Sequence, residues 1–227
     1  GTAGSTTQPV MWLRNSAAAS GFGNSAGNTT QIHLGNVRFE ACGTGALWIG
    51  QGTGNASNPN GFYITDCKFE ADAMAGGPYL STDNTTKNVY GEHLYVFAGG
   101  FASGFSTAQT LISLFGANHA LRDVAIGNGA SANVVNGVLA HAVGGSTIVL
   151  EDIVGGYGTS PTTAHINFDA SATGRYTVKN CPTNTGTQFA GASVALGFIA
   201  DQQPAAAATS TTTVANTASL STLHSAT

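Results

Sequence analysis

The chain has 227 residues, 8% of them charged, and a formal net charge of −4. About a quarter of the residues in an average globular protein are charged, and here glycine (31 residues), alanine, threonine, serine and asparagine take that share. The balance of charge excludes a basic surface for nucleic acid or anionic lipid, and no apolar run reaches the roughly 20 residues that span a bilayer. The chain starts at Gly1 without an initiator methionine or a signal-like stretch, which reads as a segment of a longer polypeptide.

The first strand-like stretch, "VMWL" from Val10, predicts a partial coil. Next comes "LGNVRF" from Leu34: apolar, any, Asn or Asp, apolar, any, aromatic. The same phrase returns as "ITDCKF" from Ile64, then "GEHLYV" from Gly91, "LRDVAI" from Leu121, "LEDIVG" from Leu150 and "VKNCPT" from Val178. Successive copies are 30, 27, 30, 29 and 28 residues apart. Between them lie second short segments: "ALWIG" from Ala46, "YLST" from Tyr79, "LISLF" from Leu111, "GVLAH" from Gly137, "HINFD" from His165 and "SVALGF" from Ser193. Each is apolar or alternating and bounded by turn residues, and no stretch carries a capped helical period. A period near 29 with short strands and no helix predicts an all-β solenoid, a right-handed parallel β-helix of about six to seven coils.

Coils stack about 4.8 Å apart, so the copies can be read as columns. The polar column runs Asn36, Asp66, His93, Asp123, Asp152, Asn180; a corner with left-handed backbone selects such residues. The column before it ends Glu92, Arg122, Glu151, Lys179, a ladder of alternating charge. The column after it is apolar and places Cys67 and Cys181 four coils apart, about 19 Å, beyond disulfide reach. Cys42 has no evident partner.

For catalysis the candidates are Glu40 and Glu70, in equivalent positions of adjacent coils, with Asp72 and Asp83 close in sequence. A carboxyl pair about 5–9.5 Å apart is what glycoside hydrolysis needs. Arg38 and Lys68, two residues earlier, share their face and favour a self-neutralised quartet. The six histidines (His33, His93, His119, His141, His165, His224) show no metal-ligand spacing, so neither a metal nor a cofactor is expected. No nucleophile elbow or phosphate loop occurs. Asn-x-Ser/Thr triplets begin at Asn28, Asn55 and Asn84. Candidate binding aromatics are Trp48 and Tyr79, with Phe101 and Phe105 in the excursion from Gly99 to Thr110; Tyr63, Tyr90, Tyr95 and Tyr157 are further rings not sorted between inside and outside. The expected organisation is a β-helix over 1–200, a Pro/Ala/Thr-rich linker over 201–213, and the start of a truncated β-sandwich-like domain over 214–227.

The coils "IHLGNVRFEAC" and "FYITDCKFEAD" resemble the right-handed β-helix of the pectin-lyase-like superfamily over roughly residues 30–200. The tail "TTTVANTASLSTLHSAT" resembles the opening of a β-sandwich module that recurs in bacteriophage tail fibres and minor tail proteins. These resemblances imply a structural or adhesive part of a phage tail spike, fibre or tail-tip protein. They imply a homotrimer in the virion, outside the cell, contacting other tail proteins and a host-surface glycan or protein, without nucleic acid or membrane insertion. Two alternatives share the fold: a polysaccharide depolymerase or lyase, and a bacterial surface adhesin. The resemblance carries over no catalytic residue.

Overall fold

The computed structural model describes residues 11–15, 30–40, 45–51, 59–71, 78–99, 109–129, 134–191 and 198–201. They form sixteen strands and, among the described residues, no helix. One sheet stacks β1 (Met11–Asn15), β4 (Leu47–Gln51), β7 (Leu80–Thr82), β9 (Gln109–Gly116), β11 (Val134–Ala142), β13 (Ala164–Phe168) and β15 (Phe189–Ala190). The other stacks β2 (Thr30–Gly35), β5 (Asn60–Thr65), β8 (Lys87–Ala98), β10 (Ala120–Asn128), β12 (Thr147–Tyr157), β14 (Arg175–Lys179) and β16 (Phe198–Asp201). The short β3 (Arg38–Glu40) and β6 (Lys68–Ala71) extend its first rungs. Neighbours in both sheets are parallel, and the chain alternates between the sheets, so the fold is a parallel β-solenoid with a period of about 29.

Two details differ from the sequence expectation. About four full turns make up the regular stack, β8–β9 through β14–β15, rather than six to seven. The N-terminal rungs contribute shorter strands, broken at residues 36–37 and 66–67. Of "SVALGF", residues 193–197 lie outside the described residues. The strand beside β13 is Phe189–Ala190, and Phe198 opens β16 in the other sheet. Both sheets are built from short apolar runs of similar composition, which leaves the assignment of such a run open.

The second sheet is kinked on six of its seven rungs. Asn36, Asp66, His93, Asp123, Asp152 and Asn180 have φ of 47° to 55°. A left-handed residue shifts the in–out alternation of a strand by one. Glu92 and His93 therefore both face solvent while Leu94 returns to the core, and Arg122, Asp123 and Val124 repeat the pattern. This is why two neighbouring columns, one of corners and one of charges, lie outside. A second left-handed column, Gln31, Gly61, Asn88 and Asn118 (φ 54° to 79°), stands five residues before the first on four rungs. It turns the chain into the kinked sheet.

The interior is ladders of like residues. Val37 packs against the core, and Cys67, Leu94, Val124, Ile153 and Cys181 above it are buried. Phe39 and Phe69 stack at 5.1 Å and 3°. Burying such side chains contributes about 1.5–3 kcal/mol each. Both described cysteines are free thiols, held by backbone carbonyls such as Thr65 O for Cys67 and Lys179 O for Cys181. Burial pushes both thiols up, Cys181 to about 12.

Candidate functional site

Carboxylates and histidines are the side chains here that could carry acid–base chemistry. Glu40 and Glu70 do stand opposite each other in the register, as do Arg38 and Lys68. Arg38 pairs with Glu40 and lies 3.2 Å from Glu70, and Lys68 Nζ is 2.7 Å from Glu70. A hydrogen bond from Lys68, helped by the charges of Lys68 and Arg38, holds the Glu70 carboxyl below its usual range against the opposing effect of burial. A general acid for glycoside cleavage needs the reverse shift. The next rung places Phe97 over Glu70, so the acidic column stops there. Asp83 is a turn cap: its Oδ1 accepts from the backbone N–H groups of Thr85 and Thr86 and from both hydroxyls. Asp72 lies outside the described residues.

The corner column pairs along the stack. His93 sits between two acids, 3.5 Å from Asp66 and 3.4 Å from Asp123, and Asn180 donates to Asp152 at 2.5 Å. In the charge column Glu151 holds Arg122 at 3.3 Å and Lys179 at 2.9 Å. Glu92 takes part in no ion pair among the described residues. The register continues this column to Asp201, opposite Lys179.

A Ser–His–Asp group also occurs. Ser171 Oγ donates to Asp169 at 2.6 Å, and His141 Nδ1 is 3.3 Å from the same carboxylate and 3.4 Å from the hydroxyl. A nucleophile relay needs serine and acid on opposite ring nitrogens; here both crowd Nδ1, and the hydroxyl is spent on the acid. Burial pushes the Asp169 carboxyl up, but the bonds from Ser171 and His141 outweigh it and hold the group below its usual range. The cluster is a turn anchor, with His141 stacked on Phe115 at 4.8 Å.

Two more histidines are core residues. His119 Nδ1 accepts from the Val89 N–H and Nε2 lies 2.8 Å from Phe115 O, which makes Nε2 the protonated nitrogen. His165 Nε2 likewise faces Ile153 O at 2.9 Å, and Nδ1 accepts from Tyr157 Oη at 2.7 Å. Burial lowers both histidines to about 4 and raises the Tyr157 phenol. Gly155 makes room for the pair, since a Cβ there would meet Tyr157 at 2.7 Å and His165 at 2.8 Å. No set of three or more His, Cys, Asp or Glu among the described residues is arranged to hold a metal ion.

The aromatics separate cleanly. Tyr79 is a core residue, 2% exposed, its hydroxyl directed to Phe97 O, which removes it from the candidate binding rings. Trp48 is half-buried, edge-on to the exposed Trp12 at 6.5 Å and donating to Pro78 O. Phe101 and Phe105 lie outside the described residues. Tyr63, Tyr90 and Tyr95 stand on the outer face of the kinked sheet, 48%, 39% and 39% exposed. Tyr63 and Tyr90 stack at 5.3 Å, and Lys68 Nζ lies 5.1 Å over the Tyr95 ring. Their signal in the sequence is parity: each is an odd number of residues from its corner on the N-terminal side, or two after it, the positions an inserted left-handed residue turns outward.

No family model, curated protein or solved structure matches the chain.

Proposed function

We propose that the chain is a rigid shaft segment of a bacteriophage tail appendage (fibre, spike or tail-tip protein), trimeric in the virion, that attaches to a host-surface glycan or protein without degrading it. The observation that carries the attachment part is the state of the acids. Among the described residues, Glu40, Glu70, Asp83, Glu151 and Asp169 are each engaged by a cation or a turn, and the one adjacent pair of these, Glu40 and Glu70, is neutralised by Arg38 and Lys68. A depolymerase requires an acid kept protonated beside a second carboxylate. A shaft requires a stack in which each rung is locked to the next, and the corner and charge columns provide that. The assignment to a phage tail rests on the resemblance of the coils and of the C-terminal stretch.

The test is incubation of the chain with host-surface polysaccharide, followed by size-exclusion chromatography of the polysaccharide. The expected result is an unchanged polysaccharide length, with Glu40→Gln and Glu70→Gln indistinguishable from the wild type. Shortening of the polymer that Glu70→Gln abolishes would replace the shaft reading with the depolymerase.

A further inference from the structure

The outer face of the kinked sheet has a step in it. Tyr90 and Tyr95 stand on β8, on either side of the corner at His93. Each has one face covered from the N-terminal side, Tyr90 by the Tyr63 ring and Tyr95 by the Lys68 ammonium. On the C-terminal side the register sets Tyr90 against Ala120 and Tyr95 against Ala125. Tyr95 thus overhangs an exposed methyl group, whereas Ala120 under Tyr90 is buried; larger side chains return one rung later, at Val149 and Val154. Val154 is 47% exposed. The step is therefore two rungs wide, about 9.6 Å between ring and valine at the usual strand spacing. Phe97, nearly parallel to Tyr95 at 6.0 Å and 13°, fixes that ring from the side.

We infer that this step is a saccharide-binding ledge, with a pyranose ring stacked on Tyr95 above the exposed Ala125. It rests on the attachment reading above and names the ligand class and the place. The apolar face of a sugar ring is about as thick as one rung, and it matches an aromatic face that is open on one side. Between the two tyrosines the exposed corner offers Glu92, His93, Arg122 and Asp123. These are acceptors and donors of both signs, which suit the hydroxyls of a neutral saccharide better than a charged polymer. They also make poor company for a protein partner, whose interface core is depleted in charge.

The experiment uses the full 227-residue chain on an array of neutral hexose and N-acetylhexosamine oligosaccharides, with titration calorimetry on the bound probe. Ala125→Lys fills the ledge with a residue type that Lys68 already places in the same column. It is expected to weaken binding about tenfold or more, as is Tyr95→Ala, while Tyr95→Phe binds like the wild type. Binding by the wild type that neither Ala125→Lys nor Tyr95→Ala reduces would overturn the ledge and leave glycan attachment elsewhere on the shaft standing. Binding of no probe by the wild type would overturn both the ledge and the glycan arm of the attachment reading.

Discussion

At the scale of the residue, the left-handed corner governs this fold. It demands positive φ on six rungs, and the chain answers there with asparagine, aspartate or histidine but never a β-branched residue. Left-handed backbone costs an ordinary L-residue about 1–2 kcal/mol, less where a short polar side chain bonds locally. Asp123 makes one weak contact, to His93 at 3.4 Å, and is otherwise exposed. Asp123→Gly is therefore expected to leave stability within about 0.5 kcal/mol of the wild type. Asp123→Val is expected to lower it by about 1–3 kcal/mol, both read from urea unfolding midpoints. Equal midpoints for the two would mean that backbone conformation does not select this column.

At the scale of the element, each rung has an inner and an outer set, and buried polar groups mark where the inner set departs from hydrocarbon. His119 and His165 occupy core positions as neutral rings, each with both nitrogens bonded. Their folded pKa of about 4 lies below the value of about 6.5 in an unfolded chain. Between these values the unfolded chain binds protons that the native one does not, so stability is complete above about pH 6.5 and lost as pH falls towards 4. The loss amounts to roughly 3 kcal/mol per histidine. The urea midpoint measured from pH 7.5 to 4 should fall across that window, and a flat profile would contradict the neutral core histidines.

The polar corners were legible in the sequence because αL backbone admits so few residue types that their spacing of 27 to 30 stands out. The inward column beside them followed from the same period. The second left-handed column is not legible in the sequence, although Asn or Gly stands five residues before the corner on three rungs, because Gln31 hides the first member. The sides of the tyrosines were not legible either. Interior and exterior columns of a solenoid both stack aromatics, and only the phase shift at the corner decides that Tyr90 is outside while Tyr157 is inside. For the candidate site, the quartet of Arg38, Glu40, Lys68 and Glu70 was readable from register, whereas the ledge depends on the alanines one rung beyond.

At the scale of the whole molecule, parallel rungs make a rod whose stability is shared between neighbours rather than concentrated in one core. Its outer columns differ in kind: one is locked by charges and corners, one carries open tyrosines. A rod of this sort is a carrier of surfaces, and the tail-appendage proposal adds that three such rods assemble. That assembly is the central claim beyond the fold itself, and the native mass of the 227-residue chain at micromolar concentration tests it most directly. The account predicts a stable species of three times the 22.8 kDa chain mass. A monomer that stays monomeric as concentration rises would contradict it, and would point instead to a single-chain surface adhesin.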